Sequence, residues 1–240
     1  MASHPPAACC VVASLHEGTP IGKHVEVAGL DTYVVGESDK IIVILTDVYG
    51  NRFNNTLLIA DELSRKGYKV LIPDILKNDP ITPEHDFAEW RANHTNEITS
   101  PIVDGFLAKL KKELNPKFLV GIGHCFGAKF VIQQLAEGKY LDAGAVAHPS
   151  FVTIEEVKDI KRPILISAAE TDPIFPAELR RQTEDELLKL GVRYQLDLFS
   201  GVVHGFAVKG DVSVPLVKYA KEKVVRDQVY FFDSVDLLRK

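Results

Sequence analysis

The stretch Lys117–Ile132, KFLVGIGHCFGAKFVI, decides how this chain folds. It opens as an apolar run (Phe118, Leu119, Val120, Ile122) and passes through Gly123-His124-Cys125-Phe126-Gly127. It then continues as an apolar, helix-compatible segment. A strand delivered into a helix through a G-x-nucleophile-x-G turn is a nucleophile elbow, here with sulfur in place of the usual serine oxygen. The glycines make room for a strained backbone, so Cys125 projects from the top of the sheet. The next backbone N–H, on Phe126, is then available to an oxyanion. A buried structural cysteine is the plain alternative, and the strand–turn–helix setting favours the nucleophile over it.

Upstream, His24–Val27 and Thr32–Val35 are short β-prone runs turned at Gly29. Lys40–Thr46 is apolar on both faces, as in the interior of a parallel sheet. It ends in the polar loop Asp47-Val48-Tyr49-Gly50-Asn51, at the strand end where open α/β sheets place their ligands. Asn54 or Asn55 can cap the next helix, with Leu58 and Leu63 on its buried side and Gly67 as its stop. Tyr68–Ile72 is a strand closed by Pro73. Residues 74–100, with Pro80, Pro83 and the sole tryptophan, Trp90, read as a long irregular lid or binding passage. A helix over Ile102–Leu114 leads into the elbow strand.

Downstream, strands are expected at Gly144–Ala147, Ile164–Ala168 and Tyr194–Phe199. Pro176 opens a helix with Leu179, Leu187 and Leu190 on its buried side, and Gly191 ends it. The last helix runs from Ser213 toward Phe232. Strands alternating with helices make a doubly wound α/β domain with a mostly parallel sheet and helices on both faces. Residues 23–240 form that single domain, and residues 1–22, punctuated by proline and glycine, form an irregular segment before it.

The composition is that of an ordinary globular protein, 46% hydrophobic and 25% charged over 240 residues. A net charge of −5 offers no footprint for nucleic acid or anionic lipid. Nothing in the sequence has the length and apolarity of a membrane span, and the opening residues do not read as a signal peptide. Three cysteines, at 9, 10 and 125, make no disulfide framework, so a reducing, cytoplasmic setting is expected.

A thiol nucleophile needs a base, and the base an orienting acid. Elbow hydrolases supply them in the chain order nucleophile, acid, histidine. Among eight histidines, His204 fits, in the Gly-flanked loop Ser200-Gly201-Val202-Val203-His204-Gly205-Phe206 after a strand. The acid belongs just past the preceding strand. Asp172 is favoured over Glu170 because it lies further into the loop, before a helix, whereas Glu170 continues the strand end. A thiol with a pKa of about 8.5 is mostly protonated at neutral pH, and pairing with His204 at a helix N-terminus would raise its thiolate fraction. The thiolate would attack an ester or lactone carbonyl, and His204 would protonate the alkoxide and activate water against the thioester.

With GHCFG, the Asp172 loop and HGF at His204, the chain resembles the dienelactone hydrolase (carboxymethylenebutenolidase-like) family, in particular its eukaryotic, fungal members. The resemblance spans nearly everything from Asp31 onward and implies an α/β-hydrolase fold with a cofactor-free Cys–His–Asp mechanism. It also implies a thiol-activating acid at Asp47, where the family's usual glutamate is one methylene longer, and a second oxyanion donor at Val48. Two arginines hold the substrate carboxylate in bacterial members. The matching positions here are Asn78, beside Lys77, and Val208, beside Lys209. Lysine does not reproduce arginine's two-point fork, so the implied acyl group is neutral or differently charged.

Tyr49, Trp90 and His148 are further pocket candidates, while His124 reads as structural. His85 and His94 lack a third ligand, so no metal is expected, and no stretch suggests a nucleotide or other cofactor. The expected partner is a small-molecule ester or lactone, with no nucleic acid and no membrane; monomer and dimer both stay open. The other reading of a reactive elbow thiol is a redox or electrophile sensor, or a non-catalytic binding module on the same fold.

Overall fold

In a computed structural model describing residues 2–6 and 13–239, sixteen elements follow one another in the expected alternation. They are β1 (Lys23–Val27), β2 (Leu30–Val35), β3 (Lys40–Leu45), α1 (Asn54–Ser64), β4 (Lys69–Pro73), α2 (Phe87–Ala92), α3 (Asn96–Leu114) and β5 (Phe118–His124). After the elbow come α4 (Phe126–Gln133), β6 (Ala143–Ala147), α5 (Ile154–Lys158), β7 (Ile164–Thr171), α6 (Ala177–Leu190), β8 (Tyr194–Val203), α7 (Phe206–Lys209) and α8 (Pro215–Leu238). Cys9 and Cys10 lie outside the described residues.

The strands form one eight-stranded sheet in the order β1-β2-β4-β3-β5-β6-β7-β8. The β1–β2 hairpin joins β4 antiparallel, and the remaining pairings are parallel. Side-chain alternation along each strand divides the core into two layers. On β3, Ile41, Val43 and Leu45 face the layer built with α3, α4 and α6, while Ile42 and Ile44 face the layer built with α1 and α8. Both faces of the interior strands are buried, which is why these strands read as continuous apolar runs.

Several boundaries differ from the sequence expectation. α1 begins after Phe53 with no side-chain cap, because Asn54 and Asn55 serve a tertiary purpose instead. Asn54 Nδ2 donates to His16 O (2.9 Å). Asn55 Nδ2 donates to Ser14 O (2.8 Å) and Val208 O (2.9 Å), and Asn55 Oδ1 accepts His16 N–H (2.8 Å). These bonds pin residues 14–16 to the domain. The passage 74–100 is not wholly irregular. It holds α2, capped by Asp86 Oδ1 on Glu89 N–H (2.9 Å), and the start of α3, which passes through exposed Pro101 near its N-terminal end. β7 reaches Thr171 and β8 reaches Val203, and α8 extends to Leu238, each beyond the expected end. Among the described residues, no helix is long and apolar enough to cross a membrane.

Candidate active site

Cys125 sits between β5 and α4 with φ 48° and ψ −109°, a conformation that costs a non-glycine residue energy and needs its surroundings to hold it. Its N–H donates to Ala147 O (3.1 Å) and its carbonyl accepts Ser150 N–H (3.1 Å), so the neighbouring strand end clamps the turn from both sides. The flanking glycines allow close approach. A Cβ on Gly123 would lie 2.6 Å from Ala128 Cα, and one on Gly127 would lie 2.0 Å from Leu45 O. Phe126 is the first residue of α4, where N–H groups have no partner within the helix.

Strand register brings the other residues to the same edge. Thr171 pairs with Val203 after a bulge in the β7–β8 ladder, so Asp172 and His204 begin side by side. Leu45 pairs with Gly123, and His124 with Ala147, which aligns Asp47, Cys125 and His148 along one line of strand ends. His204 Nδ1 lies 2.9 Å and 2.8 Å from Asp172 Oδ1 and Oδ2, and its Nε2 lies 3.2 Å from Cys125 Sγ. Asp172 Oδ1 also accepts Ile174 N–H (2.8 Å) and Phe175 N–H (2.9 Å), which fixes the carboxylate before it meets the imidazole. With Nδ1–H donated to Asp172, Nε2 is left to accept from the thiol, or to donate to the thiolate once protonated. All three side chains are buried; Cys125 is 3% exposed. Gly205 follows with φ 88°, and a Cβ there would meet Lys209 Cε at 2.3 Å. The residue after His204 therefore has both a backbone and a packing reason to be glycine.

Glu170 lies within β7 and accepts Gly201 N–H (2.7 Å), leaving Asp172 as the acid that meets His204. Sequence reasoning missed Ser150. Its buried hydroxyl lies 3.5 Å from Cys125 Sγ. The only signal was indirect: Ser150 follows the strand that pairs with the elbow strand.

A narrow cavity of about 10 Å³ beside the thiol is lined by Asp47, Val48, Cys125, His148, His204, Gly205 and Lys209. Asp47 Oδ1 accepts Tyr49 N–H (3.0 Å), and Val48 O accepts Ile81 N–H (2.8 Å). A second recess of about 330 Å³ shares His204 and Lys209 with it and is walled by Thr171, Pro173, Val203, Phe206 and Val217.

The remaining pocket candidates lie elsewhere. Tyr49 stacks on Phe53 at 4.5 Å. Trp90 is core: it stacks on His94 at 4.1 Å, meets Phe126 edge-on at 5.9 Å and donates Nε1–H to Asp79 O (2.8 Å). Lys77 and Asn78 are exposed, each with a positive φ of 58°. Val208 is fully buried against the α1–α8 side. Neither matching position of the arginine pair thus borders the thiol. Among the described residues no arginine lines either recess, and no group of three metal-ligating side chains is present.

Two more histidines are close by: His148, which lines the narrow cavity, and His124 beside it. His124 and His148 are fully buried, their rings 6.1 Å apart, and none of their four ring nitrogens has a hydrogen-bond partner among the described residues. Burial pushes the His124 pKa down to about 3, and burial together with the neighbouring His204 holds that of His148 well below the usual value. Both rings are therefore neutral.

A mostly parallel, doubly wound sheet with a strained strand–helix turn at Cys125, Asp172 after β7 and His204 after β8 defines an α/β-hydrolase fold. Residues 30–235 match the Dienelactone hydrolase family, and the chain belongs to that family. It is 37% identical to Hydrolase tropI of Talaromyces stipitatus, over 98% of each chain. It is 32% identical to Dienlactone hydrolase 1 of Gibberella moniliformis, over 94% of this chain and 92% of that one. The crystal structure of dienelactone hydrolase from Anabaena variabilis superposes with a TM-score of 0.67 at 16% identity, covering 90% of this chain and 98% of that one. The protein is a hydrolase.

Proposed function

We propose that the protein is a cofactor-free cysteine hydrolase of small, uncharged esters or lactones, working through a thioester on Cys125. The carrying observation is the chain of contacts Asp172–His204–Cys125, with Nε2 at 3.2 Å from Sγ and both Asp172 oxygens on Nδ1. His204 draws the thiol proton, and the thiolate adds to the carbonyl carbon. The resulting oxyanion is held by the N–H groups of Phe126 and Val48. Collapse breaks the ester C–O bond as His204 returns its proton to the alkoxide. Water then clears the thioester with His204 as base.

Ser150 has a place in this scheme beside Asp47, the acid expected to help activate the thiol. A hydroxyl 3.5 Å from sulfur can donate to the thiolate and favour it over the thiol. Among the described residues no arginine lines either recess, and the wall at Pro173, Val203, Phe206 and Val217 is apolar; with only Lys209 as a cation at both, this favours a group without the carboxylate that a two-point arginine clamp would hold. A redox-sensing role finds less support, since sensing alone needs neither a histidine on the thiol nor a carboxylate on that histidine.

The test is turnover of p-nitrophenyl acetate beside a carboxylate-bearing dienelactone. The uncharged ester should be the better substrate, and Cys125→Ala should lose activity on it while keeping the thermal transition of the wild type. An active Cys125→Ala protein would refute the nucleophile, and efficient use of the charged lactone would refute the substrate class.

A further inference from the structure

His148 is the buried side chain that the chemistry above leaves unused. It lines the cavity that also holds Cys125, His204 and Asp47, and its ring centre is 5.0 Å from that of His204, with the planes at 67°. It is held firmly: its N–H donates to Ser167 O (2.9 Å), its φ is 39°, and Phe206 packs edge-on at 5.8 Å. Yet neither ring nitrogen has a partner among the described residues. A buried polar ring left unmet by the protein is costly, and such groups in native structures call for an explanation. The ring is neutral, so it offers one N–H donor and one bare nitrogen acceptor. The cavity of about 10 Å³ has room for a single water-sized group.

We propose that His148 positions the water that hydrolyses the Cys125 thioester, an inference that rests on the thioester reading above. The water lies between the two imidazoles, one O–H donated to His204 Nε2 and a second hydrogen bond made to His148. A lone pair is then left for the acyl carbon. As the O–C bond forms, the water's proton passes to Nε2. Collapse of the tetrahedral adduct breaks the C–S bond, returning Sγ as thiolate beside the imidazolium and freeing the carboxylic acid. A neutral ring suits this role, because a protonated His148 would be donor-only and would repel the imidazolium forming 5.0 Å away.

Stopped-flow with p-nitrophenyl acetate separates the two half-reactions, nitrophenol release reporting acylation and decay of the acyl adduct reporting deacylation. His148→Asn suits the positive φ but is too short to reach the water, and His148→Gln keeps a donor and an acceptor at greater reach. In His148→Asn, deacylation should slow by roughly 10- to 100-fold more than acylation. The adduct should accumulate, and hydroxylamine, which needs no such positioning, should discharge it. His148→Gln should fall between Asn and wild type, and it carries the test alone if the Asn variant does not fold. Equal slowing of both half-reactions, or unchanged decay of the adduct, would overturn the assignment of His148 while leaving the thioester standing. No adduct in the wild type or in His204→Ala would remove the thioester, and the role of His148 with it.

Discussion

His204 and His148 lie 5.0 Å apart at the same edge of the sheet and are both buried, yet their surroundings could hardly differ more. His204 has a carboxylate on one nitrogen and a thiol on the other; His148 has no protein partner on either among the described residues. Burial alone gives a neutral, proton-averse ring. A fixed carboxylate on Nδ1 makes the same ring a usable base, because it sets the tautomer and stabilises the imidazolium. The contrast separates a ring with partners on both nitrogens from one with none among the described residues.

The sharpest way to break the contrast is to remove what distinguishes the partnered side. Cys125→Ala should lower kcat/KM for p-nitrophenyl acetate by roughly 10⁴-fold or more. Asp172→Asn, which leaves volume and packing in place but presents His204 with the wrong tautomer, should cost roughly 10³- to 10⁴-fold in kcat. A loss of only a few-fold would mean that His204 is oriented by something other than the carboxylate. Ser150→Ala should raise the thiol pKa, because the thiolate loses a hydroxyl donor. That shift is read as slower iodoacetamide alkylation between pH 6 and 7, restored in part by Ser150→Thr; an unchanged alkylation profile would remove Ser150 from the thiol's support.

The smallest effect belongs to the unpartnered side and appears in stability. His124 has a folded pKa pushed down to about 3, below its unfolded value. Below pH 6.5 the unfolded chain therefore binds the extra proton, and the histidine's contribution is full above that pH and lost as pH falls toward the folded value. Replacing the ring by an apolar side chain of similar size, His124→Leu, should flatten the decline by up to about 1.4 kcal/mol per pH unit between pH 6 and 4. Urea unfolding at a series of pH values measures this directly, and parallel profiles for wild type and variant would contradict it.

How much of this was legible beforehand follows the range of the interactions. The elbow motif is written within a dozen residues, with Gly123 clearing Ala128 inside the turn, although Gly127 clears Leu45 on the neighbouring strand β3. Cys125, Asp172 and His204 were reachable because parallel sheets put successive strand ends on one edge, and chain order then limits the choice. His148 was already a pocket candidate and does line the cavity beside the thiol, but the contacts of Asn55 and Ser150 were not legible. Each depends on which loops face one another across the sheet edge, information carried by register rather than by neighbouring residues. Asn55 looks like a helix cap and instead ties the segment at Ser14 and His16 to Val208. The positions matched to the family's arginines do not line either recess beside His204, for a similar reason. Val208 packs into the layer built with α1 and α8, and Lys77 and Asn78 occupy an exposed turn.

Intact-protein mass spectrometry after mixing with p-nitrophenyl acetate puts the Cys125 thioester itself under test, with wild type, Cys125→Ala and His204→Ala side by side. Nucleophilic catalysis by the elbow thiol predicts a single acetyl adduct that is short-lived in the wild type and absent from Cys125→Ala. In His204→Ala the adduct should persist, at a pH high enough to ionise the thiol. An adduct that survives in Cys125→Ala, or turnover with no covalent species on Cys125 in any variant, would contradict that chemistry.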